Sequence, residues 1–200
     1  NKMCCINFTD SEAIHQTTWK FHQFCPITAI FGSHVLLSAF SLLNGFGTHL
    51  TINVLDYDFI INHADNLSLP FAVVFHIAAF ITIIYGSHKD DWKENVAVIS
   101  YAGAAIAALH AGDLFTLFFW WEATAFTSVF LILGGNTRAY RAAFRYIVIQ
   151  VGSGMFLLAG AVLFLYSNGN ALLGQMSIDD TSGLLIFLAF GIKAAFPFLN

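Results

Sequence analysis

The sequence predicts an all-α polytopic membrane protein with about six transmembrane helices. First, 58% of the residues are hydrophobic, 10% are charged and the mean hydropathy is +0.71, which is outside the range of soluble domains. Second, the apolar residues form runs close to the roughly 20 residues that span a bilayer as a helix. Third, Lys and Arg recur in every second connecting segment, as the positive-inside rule requires. The predicted crossings are residues 26–43, 69–85, 96–111, 114–133, 146–166 and 183–198.

The basic residues also predict an orientation. Successive segments outside the apolar runs contain 2, 0, 2, 0, 3 and 0 Lys plus Arg, and Lys193 is the remaining one of the eight. Cytoplasmic segments carry the excess of positive charge in helical membrane proteins. We therefore expect a cytoplasmic N-terminal segment, residues 1–24, and a transmembrane domain, residues 25–200, with the loops at Lys89 and Arg138 on the cytoplasmic side.

Two segments between the apolar runs have a local structural pattern. From Asn44 to Ser68, polar and β-branched residues alternate, which favours a short extended hairpin at the membrane face. Gly112 and Asp113 separate the third and fourth runs. The glycine permits a helix to stop, and the aspartate is a natural N-cap for the next helix. Direct involvement of Asp113 in transport is the alternative to this structural role.

The fifth apolar run follows the segment GGNTRAYRAAFR. We expect Arg138, Arg141 and Arg145 to lie in a cytoplasmic loop, to set the topology and to meet anionic lipid head groups; proton entry is the alternative. Within the run, Gln150 and Ser153 are three residues apart and therefore share one helix face. We expect this face to point into the protein.

The fourth apolar run, LFTLFFWWEATAFTSVFLIL, carries a single charge, Glu122, near its middle. A carboxylate at that depth costs about 3 kcal/mol to insert, so it is a functional candidate by default. The alternative is a protonated Glu122 that is hydrogen-bonded between helices and serves only packing.

The sixth run, GLLIFLAFGIKAAFPFLN, contains a second isolated charge, Lys193, with Pro197 four residues later. In a continuous helix the N–H of residue 197 would bond the carbonyl of residue 193, but proline lacks this donor. We therefore expect the helix to break near Lys193 and Pro197 and to leave a backbone oxygen available for water. Glu122 and Lys193 are predicted at comparable depth, and we interpret them as a protonation switch. A static ion pair that only specifies packing is the alternative.

Four stretches resemble one family in the same order along the chain. They are DNLSLPF, HAGDLFTLFFWWE with TSVFLI behind it, the Arg-containing segment before RYIVIQ, and FGIKAAFPF. They are similar to segments of the antiporter-like, proton-translocating membrane subunits that respiratory complex I shares with the multisubunit cation/proton antiporters. The resemblance covers about residues 60–200. It implies that Glu122 is the family's intramembrane glutamate and that Lys193 is the lysine of its discontinuous helix.

The resemblance implies a proton-translocating subunit of a multisubunit Na+/proton antiporter, because the WWE and KAAFPF motifs look closer to the antiporter members of the family than to the complex I members. A proton-pumping membrane subunit of NADH-quinone oxidoreductase is the alternative. In either case the subunit would have no cofactor, metal, or redox or hydrolytic site of its own. Its partners would be other membrane subunits, the lipid bilayer, protons and, in the antiporter, Na+. It would be a multi-pass protein of a bacterial-type cell membrane or of the mitochondrial inner membrane.

The resemblance also implies that this chain is partial. Family members have about fourteen crossings in two inverted halves, of which this chain would supply the second to the seventh. It starts at Asn1 instead of Met and stops inside an apolar stretch. It departs from the family at Phe198, Leu199 and Asn200, where a histidine and a Trp-Leu pair are common.

The histidines support other hypotheses. His34 and His76, in the first two runs, could ligate a haem in an electron-transfer protein, but their depths differ by roughly 7 Å, which suits one iron poorly. Singly, His34, His76 and Gln150 are candidate members of a proton pathway, and His110 near the outer face is a candidate for its exit. A purely structural membrane subunit is a further alternative.

Several function classes are not supported. The cysteines match no metal-binding or CxxC spacing, and no hydrolase motif is present. A pI near 6.0 provides no basic patch for nucleic acid.

Overall fold

A computed structural model describes residues 49–54, 57–65, 67–86, 92–134 and 139–195. In this part of the chain a β-hairpin precedes five helices. The strands are β1 (His49–Val54) and β2 (Tyr57–His63), and the helices are α1 (Ser68–Gly86), α2 (Trp92–Leu109), α3 (Leu114–Leu133), α4 (Tyr140–Asn168) and α5 (Thr181–Lys193). The N-terminal segment and the first predicted crossing, residues 26–43, lie outside the described residues.

Three helices, α1, α3 and α4, are long and apolar enough to cross a membrane. The 20 residues of α3 measure about 30 Å, which matches the hydrocarbon core of a bilayer. Large apolar side chains such as Val74, Phe119 and Phe130 are more than half exposed, as contact with lipid permits. The chain is therefore a mainly helical integral membrane protein, as predicted. The number of six crossings stays a prediction, because the apolar part of α2 and the whole of α5 have fewer than 18 residues.

Two helices begin earlier than the predicted crossings. α2 begins at Trp92 instead of residue 96, and α4 begins at Tyr140 instead of residue 146. Arg141 and Arg145 therefore lie in the first turns of α4, with exposed side chains, which corrects their assignment to a loop. The reason is that hydropathy marks only the apolar part of a helix, whereas backbone hydrogen bonding continues through polar residues beyond it. Arg138 lies outside the described residues.

The predicted hairpin is confirmed over residues 49–63, and its position at the membrane face stays a prediction. β1 and β2 pair antiparallel, with an irregularity between Leu50 and Thr51. The backbone of β2 bonds to the connection between α2 and α3: the His63 N–H donates to His110 O at 2.7 Å, and the Gly112 N–H donates to Ile60 O at 3.0 Å. A Cβ atom at Gly112 would lie 2.8 Å from the Ile60 Cβ, so a side chain there would displace the hairpin.

The apolar core lies between α3, α4 and α5. Leu114 of α3 and Leu157 of α4 are fully buried and belong to one cluster with Ile186 and Ala189 of α5. Because α4 packs against both other helices, the residues that these three helices direct inward lie in one interface. This interface contains the two charged residues that the sequence singles out.

Candidate functional site

Glu122 lies near the middle of α3 and faces α4. Its Oε1 atom is buried and accepts no hydrogen bond from any described residue. The carboxylate lies directly against Gly154 of α4: a Cβ atom at residue 154 would overlap Oε1 and would lie 2.8 Å from the carboxyl carbon. The charge therefore occupies space that exists only because residue 154 has no side chain.

Lys193 is the last residue of α5, and its ammonium group binds α3. Nζ donates to Trp121 O at 3.1 Å and to Thr124 Oγ1 at 3.0 Å. It also lies 4.6 Å from the centroid of the Trp121 ring, within the range of a cation–π interaction. Trp121 precedes Glu122 and Thr124 follows it within the same helical turn. The ammonium group is therefore at the level of Glu122.

Glu122 and Lys193 are neighbours without direct contact. In the described structure no ion pair joins them. The Glu122 carboxylate faces α4, and the Lys193 ammonium group is bound to Trp121 O and Thr124 Oγ1 of α3. Their charges nevertheless interact electrostatically. The Lys193 ammonium group lies beside the helical turn that carries Glu122, and the two charges are parted in this arrangement.

Trp121 links the three helices of this interface, a role that the sequence analysis missed. Its indole Nε1–H donates to Ser153 Oγ of α4 at 3.3 Å, and the Ser153 hydroxyl donates to Ala189 O of α5 at 3.1 Å. The ring also packs edge-on against Phe190 at 4.9 Å between centroids. The only sequence signal was the Trp pair before Glu122, which does not tell which of the two rings faces inward.

The inward face of α4 is confirmed. Ser153 is fully buried and Gln150 is 9% exposed, and both lie on the face that carries Gly154. The Gln150 Oε1 atom is buried and, like Glu122 Oε1, has no hydrogen-bond partner among the described residues. Two buried acceptors on facing helices thus have no donor among the described residues, which is uncommon in native proteins and calls for an explanation.

Asp113 has the predicted N-cap role at the start of α3. Its Oδ1 accepts from the N–H groups of Phe115 and Thr116 at 2.9 and 2.8 Å. Its Oδ2 accepts from the Ile60 N–H and the Thr116 hydroxyl, both at 2.7 Å. The fully buried carboxylate therefore also fastens the hairpin to α3. Burial, followed by the negative charge of Asp113, raises the pKa of Tyr57 on the same hairpin.

The remaining candidates lie elsewhere. His76 is buried, and its Nδ1–H donates to Ala72 O at 2.7 Å; the Nδ1–H of His110 donates to Ile106 O at 2.9 Å. Each bond lies within one helix. His34 and Pro197 are outside the described residues, so their predicted roles stay predictions. No group of three His, Cys, Asp or Glu that could hold a metal ion occurs in the described part of the chain.

Comparisons with known proteins give a consistent result. Residues 111–200 match the family described as NADH:quinone oxidoreductase/Mrp antiporter, transmembrane. No curated protein sequence matches the chain.

Among solved structures, the chain is similar to part of the archaeal membrane-bound sulfane sulfur reductase, a respiratory membrane complex, with 18% identity and a TM-score of 0.70 over 86% of this chain and 39% of that chain. It is also similar to part of the Mrp complex from Dietzia sp., with 20% identity and a TM-score of 0.72 over 86% and 21%. For respiratory complex I from Thermus thermophilus the values are 19% and 0.65 over 90% and 44%. These similarities show a shared fold, and the chain spans less than half of each of these three chains.

Proposed function

We propose that this chain, whose residues 111–200 match the NADH:quinone oxidoreductase/Mrp antiporter family, forms part of a proton-translocating subunit in which Glu122 and Lys193 are the protonation switch. The observation that carries the proposal is the position of the Lys193 ammonium group. It is bound by Trp121 and Thr124, on either side of Glu122 in the sequence of α3, while the Glu122 carboxylate faces Gly154 of α4.

The parted arrangement suggests how the switch works. Both side chains are flexible, and each is held by contacts that a rotamer change can break. When Lys193 leaves Trp121 and Thr124 and approaches Glu122, the attraction between opposite charges increases steeply because the surroundings are poor in water. The separation of the pair then decides how firmly Lys193 holds its proton. Alternation between the parted and the paired arrangement would accept and release one proton.

The end of α5 supports a broken helix. α5 has 13 residues and measures about 20 Å, less than the hydrocarbon core. It ends at Lys193, and Ala195 has a positive φ of 54°. We propose that α5 belongs to a discontinuous crossing that is broken near Lys193 and Pro197. Six crossings, a cytoplasmic N-terminal segment and a bacterial-type or mitochondrial inner membrane belong to the same proposal.

Other membrane subunits are the expected partners, because the similar solved structures are parts of multisubunit membrane complexes. We propose the antiporter in preference to the NADH-quinone oxidoreductase on the sequence around Glu122 and Lys193 alone. Exchange of protons for Na+ would follow in the antiporter.

The test uses the full-length protein in its complex, reconstituted in sealed vesicles with a fluorescent pH probe. Glu122→Gln and Lys193→Ala should each lower proton transport about 100-fold, the scale of losing a positioned proton-transfer group. The complex should assemble normally. Glu94→Gln, the same substitution in the first turn of α2, is the matched control and should retain transport within about twofold. Normal transport by either switch variant would refute the proposal.

A further inference from the structure

The contact between Glu122 and Gly154 has a consequence beyond the switch itself. We infer that Gly154 is a positioning residue for Glu122: the missing side chain lets the carboxylate lie against α4 and so keeps it apart from Lys193. The inference rests on the proposed function and identifies what holds the parted arrangement. A glycine that served only helix packing would face another helix backbone, whereas this one faces the ionisable group.

The space at Gly154 is shaped for the carboxylate. A Cβ atom at residue 154 would overlap Glu122 Oε1, and its next neighbours would be the carboxyl carbon at 2.8 Å and Phe118 Cε2 at 3.5 Å. Phe118 lies one helical turn before Glu122 on α3, so the carboxylate is confined between its own helix and α4. Even alanine at residue 154 therefore requires the carboxylate to move.

The direction of that movement follows from the charges around Glu122. Lys193 of α5 is the only ionisable group in the described residues that interacts electrostatically with Glu122. The described parts of α2 and α4, which pack against α3, contribute no such charge, and the α4 face presents Gln150, Ser153 and Gly154, which do not titrate. A carboxylate excluded from α4 is therefore drawn toward Lys193. The substitution Gly154→Ala would favour the paired arrangement, in which the lysine holds its proton more firmly.

The chain offers a closely matched control. Gly152 lies two residues away on the same helix, and a Cβ atom there meets nothing within 4 Å. Both substitutions, Gly154→Ala and Gly152→Ala, remove one helical glycine and add one methyl group. They differ in whether the methyl group meets Glu122 and Phe118 or open space.

Proton transport of both variants should be measured as a function of pH in the reconstituted full-length complex, normalised to the amount of assembled complex. Gly154→Ala should lower transport about tenfold or more and move the alkaline limb of the pH profile to higher pH, because release from the paired lysine is slowed. Gly152→Ala should retain the normal profile. A loss of assembled Gly154→Ala complex without a shift of the profile would mean that the glycine only serves packing, and equal behaviour of both variants would also overturn the inference.

Shortening Glu122 provides a second test if Gly154→Ala assembles poorly. Aspartate is one methylene shorter and leaves room for the new methyl group. Adding Gly154→Ala to Glu122→Asp should therefore change transport less than about twofold, whereas a further tenfold loss would contradict the contact. Failure of the proposed function is distinguishable, since it would show as normal transport in Glu122→Gln, whatever residue 154 does.

Discussion

Asp113 combines two structural roles that one substitution can separate. The carboxylate uses Oδ1 for the α3 cap and Oδ2 for the Ile60 N–H of the hairpin and the Thr116 hydroxyl. In Asp113→Asn, an oxygen kept at the Oδ1 position still caps the helix. The amide nitrogen then faces the Ile60 N–H, donor against donor. The Thr116 hydroxyl can rotate to accept from the amide, so one partly buried backbone donor, the Ile60 N–H, loses its partner.

The size of this effect follows from the loss of one hydrogen-bond acceptor. A fully buried donor without a partner costs about 1–3 kcal/mol; because the Ile60 N–H is partly buried, it should open more easily by about 1 kcal/mol and exchange about fivefold faster. Loss of the cap in Asp113→Ala adds about 1 kcal/mol and should also expose the first turn of α3.

Hydrogen–deuterium exchange measured by mass spectrometry, on peptides covering residues 57–63 and 114–117, distinguishes the two roles. Asp113→Asn should accelerate exchange in the hairpin peptide alone, and Asp113→Ala in both. Asp58→Asn, an exposed position on the same strand whose Oδ1 accepts from Asn53 Nδ2, is the control and should accelerate neither peptide more than about twofold. If Asp113→Asn leaves the hairpin peptide unchanged, the carboxylate does not hold the hairpin.

Two further predictions concern a helix start and the helix interface. The backbone N–H and hydroxyl of Ser68 are the largest causes that lower the pKa of Asp65, which caps α1. Because its folded pKa lies below the unfolded value of about 3.9, the cap's stabilisation is present above about pH 4 and is lost as the pH falls through the folded pKa. Protection of the amides at the start of α1 against exchange should therefore decrease in acid. Protection that stays constant as the pH falls would contradict this. Trp121→Phe removes the hydrogen bond to Ser153 but keeps a ring beside Lys193, and it should lower the free energy of unfolding in mixed micelles by about 1 kcal/mol. The double variant Trp121→Phe with Ser153→Ala should lose less free energy of unfolding than the sum of the two single losses. Strict additivity would contradict the hydrogen bond between the two side chains.

The sequence predicted those parts of the fold that depend on local chemistry. The apolar length of α3, the cap at Asp113 and the extended hairpin of β1 and β2 follow from residues close together in the chain, and all three are found. The start of α4 could not be read in this way. Its first turns hold Tyr140, Arg141 and Arg145, which hydropathy excludes, and its N-cap Ala139 makes no side-chain cap hydrogen bond. A helix whose beginning carries neither signal has no visible boundary in the sequence.

The sequence likewise predicted only part of the candidate site. The sequence singled out Glu122 and Lys193 because an isolated charge in an apolar run is visible by itself. The partners of these charges are not visible in this way. Trp121 O is a backbone atom, Thr124 is one of several hydroxyl residues on α3, and Gly154 is one of 15 glycines. Only the packing of α3, α4 and α5 decides which glycine meets the carboxylate.

The turn from Trp121 to Thr124 explains how a change at Glu122 can reach α5 without a long pathway. Successive residues of an α-helix point about 100° apart, so a single turn can face two neighbouring helices. On this turn Glu122 faces α4, whereas the Trp121 ring and the Thr124 hydroxyl hold the end of α5 through Lys193. If Lys193 moves to Glu122, as the proposed switch requires, it leaves both contacts, and the last turn of α5 loses this attachment to α3. The proposed switch would thus couple protonation to the position of the end of α5 through one side chain, because Lys193 is also the residue at which α5 ends.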